Sequence, residues 1–81
     1  MPEIDLHGLT QEEAIPRVEE FLYRTYSAGL HEISIVHGKG SGTLRNAVRR
    51  YLKGNRLVKS FRQGYEWEGG SGVTIVELAL K

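Results

Sequence analysis

At 81 residues, with 40% hydrophobic and 26% charged side chains and no cysteine, the chain reads as one small globular domain with a single modest core, which excludes a two-lobed cleft, disulfides, thiolate chemistry and cysteine zinc sites. The first twenty residues are acidic and no apolar run nears the ~20 residues that span a bilayer, so a soluble cytoplasmic protein without membrane contact is expected. A formal net charge of +1 conceals a split: residues 1–36 carry seven acids against two bases, a net of −5, and residues 37–81 carry nine bases against three acids, a net of +6.

Ile4 and Leu6 alternate with Asp5 and His7, the period of a short strand, and Gly8 ends it. Thr10 with Glu13 three residues on fits a capping box. Ala14, Val18, Phe21, Leu22 and Thr25 then share one face of a helix over about residues 11–28, closing near Gly29. Pro16 lacks the N–H that would bond the Glu12 carbonyl, so either the first turn kinks there or the regular helix starts near Ala14. Residues 32–37, Glu-Ile-Ser-Ile-Val-His, read as a largely buried strand broken by residues 38–42. From Thr43 the set Leu44, Ala47, Val48, Tyr51, Leu52 has helical spacing, and this second helix should run to about Lys53 and stop at Gly54 and Asn55. Residues 57–62 and 73–80 read as two more strands, separated by a glycine-rich loop that contains Tyr65 and Trp67.

The order is βαβαββ. Thirty residues separate Gly8 from Gly38, the length of a strand-helix-strand unit, and such a crossover leaves its two strands parallel in one sheet. Asp5, His7 and His37 then fall near the C-terminal edge together, where open α/β sheets place their ligands.

Three residue groups there carry chemistry. The stretch His37-Gly38-Lys39-Gly40-Ser41-Gly42 joins strand to helix, and its alternate glycines let backbone N–H groups face a ligand at a helix N-terminus, with the Lys39 charge added. This is a phosphate cradle or a turn that needs glycine only for its dihedrals, and its spacing is not that of a nucleotide P-loop. Arg45, Arg49 and Lys53 continue it as an i, i+4, i+8 stripe; Arg49 and Lys53 sit more than a quarter turn from Leu44, Val48 and Tyr51, so the stripe is expected to be open to solvent. Eight bases and no acid lie within residues 39–62, the footprint of a polyanion partner, although a solvated basic face gives the same count. The nucleic-acid-binding set is Gly38, Lys39, Gly40, Gly42, Arg45, Arg49 and Lys53.

Asp5 and His7, two apart in a strand, share a face, and His37 is expected nearby. A carboxylate that orients an imidazole, beside a second imidazole and a phosphate loop, has the parts for metal-independent phosphodiester hydrolysis: a base, an acid and cations. The same side chains are also ordinary ligands for a divalent metal, and each histidine also reads as a strand end that bonds its neighbouring backbone. Tyr65 and Trp67 either stack on unpaired bases or pack in the core.

Asp-Leu-His-Gly at 5–8, His-Gly-Lys-Gly-Ser-Gly at 37–42 and Gly-Gly-Ser-Gly-Val-Thr-Ile-Val at 69–76, in this order and spacing, resemble the Smr (small MutS-related) domain over essentially the whole chain. The Leu-Arg-Asn-Ala-Val-Arg-Arg-Tyr-Leu helix and Val-Lys-Ser-Phe-Arg strand look most like the C-terminal Smr domain of the second bacterial MutS paralogue. Ile4 and Ser41 stand where leucine and threonine are common. The resemblance implies an α+β two-layer sandwich like the C-terminal domain of translation initiation factor three, with a mixed four-stranded sheet under two helices. It implies nicking of DNA, branched DNA above all, linked to suppression of recombination, with Asp5, His7, His37 and Lys39 carried over to catalysis and binding and no required cofactor. Relatives that act on RNA or stalled ribosomes make a non-catalytic docking module the alternative. A Met1 leading straight into a strand fits an excised C-terminal piece, residues 1–81, of a homodimeric parent with an ATPase region.

Overall fold

Alternation in the short apolar runs becomes the inner face of a sheet. In the computed structural model, which describes residues 1–80, the elements are β1 (Glu3–Asp5), α1 (Gln11–Ser27), β2 (Glu32–Val36), α2 (Thr43–Leu52), β3 (Val58–Gln63) and β4 (Val73–Leu78). Two 3₁₀ turns, Glu66–Glu68 and Gly70–Gly72, give regular structure to the loop that the sequence marks only as glycine-rich. The strand order is β1-β2-β4-β3, with β1 parallel to β2 and β4 antiparallel to both of its neighbours. The expected mixed four-stranded sheet with two helices is thus present.

Both helices pack on the face that carries Leu6, Ile33, Ile35, Val76 and Leu78, burying Ala14, Val18, Phe21 and Leu22 of α1 and Val48 and Leu52 of α2 against them. Each fully buried aliphatic side chain there contributes about 1.5–3 kcal/mol. On the opposite face Ile75 is still covered, because Glu32, Ser60, Arg62 and Glu77 surround it and their aliphatic stems replace a third layer.

α1 begins with the expected capping box: Thr10 Oγ1 accepts from the Glu13 N–H at 3.2 Å, and Glu13 Oε1 accepts from the Thr10 N–H at 2.9 Å. The helix then runs from Gln11 without a break through Pro16, so the regular helix does not wait until Ala14. Pro16 and Glu12 lie on its exposed side, so the proline is accommodated at the surface while the cap and the buried stripe hold the turn. No helix among the described residues is long and apolar enough to cross a membrane.

Candidate functional site

The parallel pairing of β1 with β2 brings their C-terminal ends to one edge, with Asp5 level with Val36. Just past them the chain turns at Gly38, whose φ is +89°, and a Cβ there would lie 3.4 Å from the Cβ of His7. Glycine is needed at 38 for its dihedral, and its bareness lets the two connections touch. The two histidine segments therefore meet at the same end of the sheet, but their side chains part. Asp5 and Val36 are partners on the open face; His37, one residue on, turns to the helix face.

Asp5 and His7 form an exposed pair. One carboxylate oxygen, Oδ1, accepts the backbone N–H of His7 at 3.0 Å and lies 3.0 Å from its Nδ1. These bonds, the backbone one first, hold the Asp5 carboxyl below its ordinary value of 3.8. With the proton on Nδ1 facing the carboxylate, Nε2 points its lone pair away from Asp5. The His7 side chain is 72% exposed, so that nitrogen is within reach of a substrate.

His37 is only 5% exposed. The carbonyl of Gly38 lies 3.1 Å from Nδ1 and the Thr74 hydroxyl 2.9 Å from Nε2. A carbonyl can only accept, so Nδ1 carries the proton and Thr74 donates to Nε2. Burial pushes the imidazole below its ordinary 6.5, and the nearby Arg49 and Arg45 charges act the same way. His37 is thus neutral with both ring nitrogens engaged. The three-residue group expected from the sequence does not assemble: Asp5 and His7 meet, and His37 stands behind them in a separate clasp. Among the described residues no group of three His, Asp or Glu side chains is arranged to hold a metal ion.

α2 differs from α1 at its start. Its N-cap is Gly42, at φ +90°, which has no side chain to offer, and the first turn holds no acid; the Thr43 N–H is met by Ser41 Oγ at 3.4 Å. The Arg45 guanidinium folds over this glycine, where a Cβ would fall 2.8 Å from a terminal nitrogen. Open donors, the positive end of the helix dipole and a full charge therefore coincide. They face a cleft of about 420 Å³ lined by Gly8 to Glu12 on one side and His37, Gly38, Gly40, Ser41 and Thr43 to Arg45 on the other. Lys39 is exposed, with its stem lying along Gly72, where a Cβ would sit 3.0 Å from Lys39 Cγ.

The basic stripe continues into a groove of about 390 Å³ formed by Asn46, Arg49, Arg50, Lys53 and Phe61. Arg49 is not the freely solvated residue that its helical angle predicts. It is half-buried and its Nε is enclosed without a hydrogen-bond partner. The reason is tertiary: Phe61 of β3 lines the same groove and helps to cover the side chain. Lys53 falls just past the helix as its extended C-cap but still lines the groove. Asn46 and Arg50 were absent from the expected binding set; the acid-free run of bases, read as a whole, contained Arg50.

The Smr domain family profile matches residues 4–79, all of the elements just described. The chain belongs to the Smr domain family. Among its relatives, a protein named endonuclease MutS2 from Pelotomaculum thermopropionicum is 55% identical over 78 residues, 96% of this chain. Another of that name, from Acetivibrio thermocellus, is 54% identical over 76 residues, 94% of the chain. The chain spans about a tenth of the length of these relatives, 10% of each. The crystal structure of the Smr domain of Thermus thermophilus MutS2 superposes with a TM-score of 0.94 at 42% identity, covering 98% of this chain and 99% of that one. YdaL, a stand-alone small MutS-related protein from Escherichia coli, gives 0.89 at 28% identity over 94% of this chain and 63% of its own. Of the Smr motifs read in the sequence, the first two supply Gly8, His37, Gly38, Gly40 and Ser41 to the cleft, and the third pairs with the second through the Gly72 carbonyl.

Proposed function

We propose that this Smr domain grips nucleic acid by its phosphates along the strand-end cleft and the α2 groove and nicks a phosphodiester of DNA, with structured or branched DNA as the preferred substrate. The acid-free N-terminus of α2, with glycine as its N-cap and opening into the cleft beside Arg45, is the observation that carries this reading. His7 Nε2 takes the proton of the attacking water while Asp5 holds the imidazole by Nδ1, and the leaving sugar oxygen takes up a proton from solvent. Lys39 and Arg45 offset the charge that develops on the phosphoryl oxygens. His37 is a positioning residue that pins the cradle to β4 through Thr74. In the same reading the domain is the C-terminal part of a longer, homodimeric protein with an ATPase region that restrains recombination by cutting branched intermediates. The MutS2 relatives, called endonucleases and about ten times longer, support it.

Asp5 and His7 stand outside the lining of the cleft. This favours, as a second reading, a binding module that docks on RNA or the ribosome without cutting. Incubating the purified domain with supercoiled plasmid, with and without chelator, separates the two. Conversion to nicked circles in both arms is expected, whereas binding without any nicking supports the docking module. Activity that persists when Asp5, His7 and His37 are all replaced contradicts the nuclease assignment.

Binding itself should be strongly salt-dependent under either reading. With about three to five phosphates neutralised, the log-log slope of affinity against salt is expected at roughly −2 to −4.5. A flat response in a filter-binding titration rules out the phosphate grip.

A further inference from the structure

Trp67 is 82% exposed, an unusual position for the largest apolar side chain. It does not stand alone. The rings of Tyr65 and Trp67 stack with centroids 4.9 Å apart and planes inclined at 30°, and the Arg62 guanidinium lies 4.1 Å from the Tyr65 ring centroid on the same assembly. Glu68 fixes the base of the stack. Its carboxylate accepts from Arg62 at 2.8 and 3.2 Å and from the Tyr65 backbone N–H at 2.7 Å. These bonds make a cation, a first ring and a second ring into one ordered pile.

The pile belongs to the same end of the sheet as the cleft. Gly72, at the end of this loop, accepts the backbone N–H groups of both His37 and Gly38 at 3.0 Å. The Lys39 stem crosses Gly72, and its Nζ comes within 3.9 Å of where a Cβ on Gly70 would be. Lys39, whose chain neighbours Gly38 and Gly40 line the cleft, therefore reaches from the edge of the cleft to the aromatic loop.

We propose that Trp67, backed by Tyr65 and Arg62, is a stacking platform for an unpaired nucleobase of a strand whose phosphates lie in the cleft. This deepens the nucleic-acid reading and rests on it. The loop carries no base of its own, and exposed Glu66 beside Trp67 repels a phosphate, so the platform admits the neutral face of a base while Lys39 takes the backbone. Because Glu68 and Arg62 already order the rings, a base that stacks there costs little side-chain entropy. A fully paired duplex offers no free base face, so the platform selects gaps, overhangs and junctions.

Trp67 is the only tryptophan, so its fluorescence reports the stack directly. Three probes of equal length are titrated into the domain: a blunt duplex, a duplex with a single-stranded overhang, and the same overhang duplex with abasic sites in place of the overhang bases. Only the base-bearing overhang is expected to quench Trp67. Trp67→Ala is expected to lower overhang affinity about 5- to 100-fold and leave blunt-duplex affinity unchanged, while Trp67→Phe keeps most of the overhang affinity. Thermal melts of both variants should match the parent, since the ring covers no core. Quenching by the abasic probe, or equal losses on blunt and overhang probes in Trp67→Ala, overturns the platform and leaves duplex binding standing. Failure of the parent domain to bind all three probes overturns the underlying nucleic-acid reading and the platform with it.

Discussion

Alanine in place of His7 is expected to slow plasmid nicking by about 10²- to 10⁴-fold, the usual contribution of a positioned general base. Binding should change little, because the proposed phosphate donors are Gly40, Lys39 and Arg45 rather than the imidazole; the Gly38 N–H, expected in that set, is already given to the Gly72 carbonyl at 3.0 Å. The Asp5→Asn exchange should fall in the same direction with the fold intact, since both side chains are largely exposed and neither supports the core. Its effect comes through the tautomer: an amide can present either its oxygen or its NH₂ to Nδ1, and the charge that favours a proton there is lost. The depressed Asp5 carboxyl keeps that charge through neutral and mildly acid pH and surrenders it only below its ordinary value of 3.8. Single-turnover nicking rates beside equilibrium binding, for both variants, check the split. Equal losses in rate and affinity would place these residues in the grip instead of the chemistry.

The second large effect is on stability. His37→Ala is expected to cost about 2–3 kcal/mol, because it strips the buried Thr74 hydroxyl of its acceptor and leaves space behind. In a domain of this size that lowers Tm by roughly 10–20 °C. Thr74→Val, which keeps the shape and removes the donor, should cost less, about 1–2 kcal/mol. Burial also gives His37 a signature in pH. Its folded pKa lies below the 6.5 of a free imidazole, so in the window just under 6.5 the unfolded chain takes up a proton that the folded one refuses. Stability is complete above that value and declines as pH falls through it. Melting curves across this range should show the decline in the parent and a flatter response in His37→Ala. A variant that melts like the parent would mean that the clasp holds nothing.

Both effects hinge on a distinction that the sequence could not make. The strand periods, the Thr10 to Glu13 box and the stripe from Ala14 to Thr25 depend on neighbours a few residues apart, and these local patterns produced the elements and their order. Whether a residue points to the helices or away follows from alternation along its own strand, so the shared side of Asp5 and His7 was legible. His37 keeps the parity of Ile33 and Ile35, but its partner was not legible, because Thr74 is brought alongside by the antiparallel pairing of β2 with β4. Arg49 was misjudged for a related reason: a helical angle gives direction, while burial depends on how close Phe61 and the sheet come. Pro16 went the other way, with tertiary support overriding a local penalty. Tyr65 and Trp67 lie in a loop without period, where composition says only that aromatics are present. Their stack depends on Arg62 and Glu68, which no periodic pattern links.

The central claim is that nucleic acid phosphates engage the end of the sheet where β1 and β2 finish. A backbone amide chemical-shift titration of the domain with a short junction duplex tests it most directly. The account predicts the largest changes at residues 38–45, with His7 beside them. Changes concentrated instead at residues 28–31 and 54–57, at the other end of the same strands, would contradict it.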